Sequence, residues 1–544
     1  MSPPLNPRKI PKKCRKILKN LDILFSLHYI EIVFNEIYFN NRINIYVNYK
    51  FKRKDFMSKK IIIIGAGIAG LSAGVYAQRN GFDVTILEQH TIPGGMCTSW
   101  RRKGYLFEGA IHWLVGSNPG NDLNEIWRDT GALTENINVF YHDPFFSVEW
   151  EGKTVCLYRD IEKTKKHFLE ISPEDDAAIN NFVRDVNTLT KFSMPIMDIK
   201  GLKALHPRKI EFNKLLKMLS AMPTMNRISK LSCADYTARF KHPALRKALN
   251  FLPQDYYAIA LLFTLALLTT GDGGYPEGGS LAMTQRMADT FKSHGGKLLL
   301  GKKAKKVIVE NAVATGVELE NETLSADAVI VTQETIAAVD QLFDIRPKDK
   351  WLIELHKNIK PSVCTFVGVG VRTEIPETPL FDLSEPIVCG GISYSELSFY
   401  NYFGYKGYAP EGGTVLTTAF MADTYDFWKN AKDKGSYQVE KQALAEQISR
   451  AICTKYPQAE GKIEVIDIAT PLTYERYTGA YRGSWMNTMN KNDKMKQYSG
   501  FLKSIKSVYF AGHRMKGVGG LPIALLSGRT AAQLVCRQFD TMFK

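Results

Sequence analysis

Residues 61–88 hold, in order, a β-branched apolar run, a glycine-spaced turn, a small-residue helix and a second apolar run that ends on an acid. Few folds accommodate that order. Ile61 to Ile64 suits a parallel strand buried on both faces. Gly65, Gly67 and Gly70 carry the spacing that lets backbone turn, approach a pyrophosphate and open a helix close against the strand. Ile68 and Ala69 then lie in the first helical turn, whose N–H groups and dipole attract an anion without any cationic side chain. Glu88 ends the second run about 20 residues on, where a carboxylate can accept hydrogen bonds from a ribose. Gly74 and the turn at Gly81 agree with this βαβ dinucleotide unit.

The continuation separates flavin from nicotinamide. After Glu88 the chain runs through Pro93, Gly94, Gly95, Met96, Cys97, the basic Arg101, Arg102 and Lys103, then Glu108, Gly109, Ala110, Ile111 and His112, with no further βα repeat. This loop resembles the second motif of FAD enzymes of the amine oxidase and phytoene desaturase superfamily. The resemblance implies that Gly94, Gly95 and Met96 lie beside FAD and that the segment around Gly109 passes the isoalloxazine ring. Near the C-terminus, Val508 to Gly512 reads as a buried strand, followed by a glycine loop to Gly520, then Leu521 and Pro522 opening an apolar, small-residue helix. It resembles the C-terminal FAD motif of phytoene desaturases and carotenoid isomerases. N–H groups from Leu521 on would stabilise negative charge on reduced flavin near N1 and the C2 carbonyl. Between the two motifs, Tyr275 to Ser280 leads into an amphipathic helix, followed by short strands near 297–300, 305–309, 314–319 and 326–331. By the same resemblance the loop near Ala304 contacts the adenine through its backbone.

Met96 stands where desaturases and amine oxidases of this superfamily usually place Arg, and Glu108 where they place Asp. The run from Pro93 to Trp100 and the segment Thr470 to Ser484 resemble more closely the carotenoid isomerase and all-trans-retinol reductase branch. The implied fold is α/β, an FAD-binding Rossmann-like domain of the glutathione-reductase/amine-oxidase type with an inserted α+β substrate domain. Residues 57–135, 275–345 and 500–544 are expected to form the discontinuous FAD domain, and 136–274 and 346–499 the substrate domain. Ser172 to Asp175 reads as a capping signature for a helix reaching Phe192, and strands are expected near 364–371, 398–402 and 414–420, with a helix over 437–456.

The first 56 residues differ from the rest, with 12 Lys or Arg against 4 acids, half of the whole chain's formal +16. They are read as an upstream extension outside the working enzyme, with Met57 at its natural start; a basic membrane arm is the functional alternative. A secretory signal is disfavoured because Asp22, His28, Glu31 and Glu36 interrupt the apolar stretch. Beyond them the charge excess is too small for a nucleic-acid footprint, and no nucleic-acid motif is present. Lys and Arg alternate with Leu, Met and Phe between Lys200 and Arg246, as in an arm on an anionic membrane surface or in a solvated helical face. Eight scattered cysteines without CxxC spacing point to a reducing cytoplasm. The most apolar window, Tyr257 to Leu268, is too short to span a bilayer and reads as a buried helix beside the substrate.

Neither a nucleophile triad nor a metal constellation stands out. A flavin carries the hard chemistry itself, so few acid–base residues are needed. His112 is the leading candidate for proton delivery or cation stabilisation, with Tyr477 and Arg482 as further catalytic candidates from the matching segment. Gly368 and Gly370 lack the third glycine and the helix of a nicotinamide site and read as close-packed strand positions. Electrons are therefore expected to pass to or from a diffusible partner. The function expected is oxidoreduction or isomerisation at C–C double bonds of a hydrophobic polyene or isoprenoid. A flavin amine oxidase and a prenyl-lipid carrier of the same architecture are the alternatives.

Overall fold

The apolar run becomes the central strand of a parallel sheet. The computed structural model describes residues 58–192, 196–208, 211–491, 493, 496–517 and 519–544. The basic N-terminal segment and Met57, expected as an extension, lie outside the described residues. Lys60–Ile64 pairs in parallel with Asp83–Leu87 and Ala328–Val331, and Lys297–Leu299 and Val508–Phe510 complete five strands. Their order across the sheet is 508–510, 328–331, 60–64, 83–87, 297–299.

Strand alternation sorts the isoleucines between two layers. Ile61 and Ile63 pack with the helices Ile68–Arg79, Gly279–Ser293 and Leu521–Gln538. Ile62 and Ile64 pack instead with the antiparallel strands Lys306–Glu310 and Val313–Glu318 and the helices Thr335–Gln341 and Lys350–Asn358. All four are at most 5% exposed, each contributing roughly 1.5–3 kcal/mol by burial. Small residues let the helices approach. A Cβ at Gly74 would lie 2.7 Å from Ile86 Cδ1, and one at Gly528 would strike the carbonyl oxygen of Ala69.

A second sheet is antiparallel, in the order Tyr400–Asn401, Thr414–Phe420, Thr365–Val371, Ile463–Ala469. Gly368 and Gly370 are close-packed strand positions, as read from the sequence. Cβ atoms there would lie 2.6 Å from the Phe107 ring and 2.5 Å from the Tyr105 ring. Those rings belong to the strand Tyr105–Glu108, which pairs with Ser99–Arg102, so the bare glycines seat the second sheet on the loop that follows Glu88.

The remaining insertion is mainly helical, with one hairpin of Phe146–Trp150 and Lys153–Leu157, and has its own core around Phe168, Phe182, Tyr236 and Leu261. Its second helix differs from expectation: Pro173–Asp175 forms a 3-10 turn and the α-helix runs Asp176–Leu189. The cause is Asp175, whose carboxylate is drawn to the N–H groups of Lys241 and His242 at 2.7 and 2.9 Å, while Ser172 donates to that carboxylate instead of capping the helix. The apolar window forms the helix Ala258–Thr269, packed in this core. Among the described residues no helix is long and apolar enough to cross a membrane.

Candidate active site

Four groups of residues converge at the C-terminal ends of the parallel strands, where ligands bind in open α/β sheets. The first is the glycine turn. Gly67 bridges Gly94 in parallel, Gly94 N–H donates to Ala66 O at 2.9 Å, and among the described residues a Cβ at Gly95 would meet only Gly67 Cα, at 3.5 Å. The helix behind it, with Ile68, Ala69 and Gly70 in its first turn, carries no side-chain cap at Gly67, so its opening N–H groups remain available to an anion. Met96 is half-buried beside this loop.

The second group surrounds Glu88. Its carboxylate accepts from Ala66 N–H and His90 N–H, each at 2.8 Å, leaving further lone pairs for a ligand. Burial pushes the Glu88 carboxyl up, against the His90 and Ala66 N–H groups that pull it down. Lys302 N–H donates to Glu88 O at 2.7 Å and Gly301 N–H to His90 O at 3.0 Å. This fixes the loop that leads to the buried Ala304.

The C-terminal turn forms the third group. Gly512 N–H donates to Ser527 Oγ at 2.8 Å, and Ala511 N–H to Val331 O at 3.0 Å. Thr332, which sequence reasoning did not single out, ties this turn to the first: its hydroxyl reaches Ile64 O at 2.9 Å and Gly65 O at 3.0 Å. Among the described residues, a Cβ at Gly512 would meet only Thr332 O, at 4.0 Å, and one at Gly520 only Pro522 Cδ, at 3.9 Å. The helix Leu521–Gln538 begins at Gly520 without a side-chain cap and with Pro522 in its first turn. A second uncapped N-terminus is thus brought to the same end of the sheet as the first.

The fourth group is built on Glu108, also missed as a working residue. Fully buried, it accepts from the N–H groups of Ala110 at 2.9 Å, Ile111 at 3.1 Å and Ser280 at 2.8 Å, from Tyr275 OH at 2.8 Å, and from the Ser280 hydroxyl. Burial pushes its carboxyl up while Ser280, Ala110 and Tyr275 pull it back. This one side chain shapes the Gly109 turn and seats the helix Gly279–Ser293. A lone acid closing the apolar strand Tyr105–Glu108 just before Gly109 was the available signal. Cys97, close by, is a packed residue: burial pushes its thiol well above the ordinary range, the opposite of a reactive thiolate.

The three catalytic candidates have separate side-chain partners. His112 stacks on Tyr400 with ring centroids 3.7 Å apart and planes 6° apart. Burial holds its imidazole down at about 4, so it is neutral at pH 7. Tyr477 lies at the Glu88 end instead, its ring 5.2 Å from His90 and its carbonyl accepting from Gln89 at 2.9 Å. Arg482 is engaged by Asp423 and Asp426, at 3.1 and 2.9 Å, with its guanidinium over the Tyr425 ring.

The residues present fit an FAD. Two uncapped helix N-termini, open space where Cβ atoms of Gly95, Gly512 and Gly520 would point, and Glu88 match its phosphates, rings and ribose. Among the described residues, His112 Nδ1, Trp485 Nε1 and His513 Nε2 are buried without a protein partner. Such atoms cost about 1–3 kcal/mol each in a closed core, and a bound polar ring system would relieve that.

The family model described as flavin containing amine oxidoreductase matches residues 68–536. A 1-hydroxycarotenoid 3,4-desaturase from Flavobacterium sp. is 24% identical over 506 residues, covering 88% of this chain and 99% of the relative. The neurosporene-forming phytoene desaturase of Cereibacter sphaeroides is 23% identical, with 87% and 94% covered. Prolycopene isomerase 1 of an Oncidium hybrid cultivar is 22% identical, with 78% and 74% covered. Among solved structures, an oxidoreductase from Methanosarcina mazei aligns with a TM-score of 0.54 at 16% identity, covering 87% of this chain and 99% of that one. Cyclohexylamine oxidase from Brevibacterium oxydans aligns at 0.53 and 15% identity, with 89% and 100% covered. At those identities the structures share a fold.

Proposed function

The chain belongs to the flavin-containing amine oxidoreductase family and is an FAD-dependent oxidoreductase, and we propose that it acts on C–C double bonds of a long apolar polyene or isoprenoid, as a desaturase, saturase or isomerase. The observation that carries this reading is the match to the 1-hydroxycarotenoid 3,4-desaturase along 99% of that relative's length. It includes both the cofactor motifs and the insertions that would receive the substrate.

FAD, when bound, supplies hydride exchange with carbon. The chain's part is to hold it and to set the surroundings of the reacting carbon. Gly67, Gly94 and Gly95 bring backbone to the pyrophosphate, Glu88 binds the ribose, and the loop at Ala304 lies against the adenine. Gly109, Gly512, Gly520, Leu521 and Pro522 frame the isoalloxazine. His112, neutral at pH 7 and stacked on Tyr400, acts as a ring wall and hydrogen-bonding group beside the substrate, not as an imidazolium acid. Arg482, neutralised by Asp423 and Asp426, positions the 478–484 turn. Tyr477 covers the adenosine end. Gly368 and Gly370 are closed off by Phe107 and Tyr105 and do not form a nicotinamide site; a diffusible electron donor or acceptor is proposed to serve the flavin.

An amine oxidase would need an aromatic cage open to the reacting centre, whereas Tyr402 and Tyr408 stack 5.0 Å apart, both buried, against Tyr275, and the exposed Tyr400 is stacked on His112. A prenyl-lipid carrier would have no use for an intact glycine cradle. Anaerobic flavin reduction or reoxidation against carotenoids, retinols, unsaturated lipids and amines tests the reading. Exchange with polyenes is expected; exchange with amines alone would overturn it, and absence of flavin bands after reconstitution with FAD would favour a carrier.

A further inference from the structure

The helix Phe212–Ile228 is apolar on two opposite sides. Ala221, Met225 and Ile228 are buried and pack into the helical insertion, as one amphipathic face should. Phe212, Leu216 and Leu219, at i, i+4 and i+7, form a second row, and they are 62%, 49% and 44% exposed. Pro223 continues the row and is exposed as well. Leu205, upstream, is 56% exposed. Single exposed hydrophobics are ordinary, but a row in register along one helix marks an interaction surface.

The segment's own charges are nearly all basic. Ile199 to Lys230 contains eight Lys or Arg and one acid, Glu211. Lys203, Arg208, Lys214 and Arg227 are ion-paired with Asp540, Glu125, Asp122 and Asp185. Lys217 and Lys230 are exposed and outside any ion pair among the described residues. The segment is also held firmly: Asp198 accepts from Arg529 and Gln533, each at 2.7 Å, and from Arg208 N–H at 2.8 Å.

We propose that this face docks the protein on an anionic lipid surface, with Phe212, Leu216, Leu219 and Pro223 entering the acyl boundary and Lys217 and Lys230 meeting the headgroups. Charge complementarity decides the occupant. A second copy would bring an identical basic face against this one, and the first 56 residues carry 12 Lys or Arg against 4 acids, again the same sign. The inference does not depend on the substrate, although a lipid surface is where a polyene would be met.

Vesicle co-sedimentation of the full-length, flavin-loaded protein tests it. Binding is expected to phosphatidylcholine vesicles containing phosphatidylglycerol, weaker to phosphatidylcholine alone, and reduced by salt. The Leu216→Ser/Leu219→Ser variant should lose roughly tenfold or more in partitioning, with its flavin spectrum unchanged. Lys217→Glu/Lys230→Glu should abolish the preference for phosphatidylglycerol. Equal binding by the parent and both variants, no binding to anionic vesicles, or a parent dimer dispersed by the serine substitutions without vesicle binding would each overturn the proposal.

Discussion

The Ser72 hydroxyl donates to the Leu525 carbonyl at 2.8 Å, joining the first helix to the last across 453 positions of sequence. The contact is possible because Gly528 leaves no side chain between the helices, where a Cβ would collide with Ala69 O and approach Ser72 Cβ to 2.9 Å. The two uncapped N-termini are aimed from this one packed pair, so helix packing and cofactor geometry are the same problem.

Gly528→Val should therefore separate the pair. Overpacking typically costs about 1–3 kcal/mol, and the shift would misplace both helix ends, so the variant should purify with little bound flavin. Ser72→Ala, which removes only a hydrogen bond of about 1 kcal/mol, should keep its FAD. Flavin-to-protein absorbance ratio and thermal midpoint, measured on both, separate the two effects. A Gly528→Val protein that keeps full flavin content would contradict this account.

Glu88→Gln keeps the size of the side chain but converts a charged acceptor into an amide. Hydrogen bonds to charged groups contribute about 1.5–3 kcal/mol, so FAD affinity should fall on the order of tenfold to a hundredfold, read by fluorescence titration of the apoprotein. Part of the loss reflects the N–H groups of Ala66 and His90, which Glu88 also serves. Glu88→Ala should lose more than Glu88→Gln.

Acid should destabilise the fold through two histidines. Burial lowers His112 from 6.5 to about 4, and burial with the Arg514 charge lowers His513 to about 3. The unfolded chain then binds more protons below pH 6.5, and stability falls as pH drops from 6.5 toward the folded values. Each residue accounts for a few kcal/mol over that window, at about 1.36 kcal/mol per unit. Glu88 and Glu108, pushed up by burial, act oppositely and gain relative stability as pH falls. The clean measurement is a difference: the urea midpoint of His112→Gln should decline less steeply than the parent's between pH 6.5 and pH 4. Parallel slopes would show that His112 titrates normally.

The local parts of the site were legible in the sequence because their causes are local. Ile61 to Ile64 and the glycines after them dictate strand, turn and helix within a few residues, and Leu521 and Pro522 open their helix where expected. What stayed hidden depends on partners distant in the chain. Thr332 reads as an ordinary residue after a strand until it meets Gly65, and Glu108, a lone acid closing an apolar strand, shows what it holds only once Tyr275 and Ser280 reach it. Ile463–Ala469 was masked as a strand by Glu464 and Asp467, whose partners Tyr105 and Trp100 are supplied by the loop after Glu88. The hairpin Phe381–Cys389 and Ile392–Leu397 was obscured because most of its residues face solvent and its register shifts between Asp382 and Ile387.

The most deeply hidden element is the Arg514–Glu334 pair, 2% and 3% exposed at the side chain. Arg514 bonds Glu334, Asn487 and Ser484, and Glu334 also caps the helix Thr335–Gln341 and accepts from Tyr481 N–H at 3.2 Å. The network thus anchors the C-terminal flavin turn and the 481–487 segment to the end of the strand Ala328–Val331. Removing one partner of such a pair leaves a buried charge uncompensated, at about 3–5 kcal/mol. Arg514→Met should pay that cost, whereas Arg514→Met/Glu334→Gln, with the charge gone and the cap retained, should recover much of it. Urea unfolding of the parent, both single variants and the double variant gives the coupling directly. Additive losses would mean the two side chains are held independently, and the turn would then owe its position to the Gly512–Ser527 and Ala511–Val331 hydrogen bonds and to Thr332.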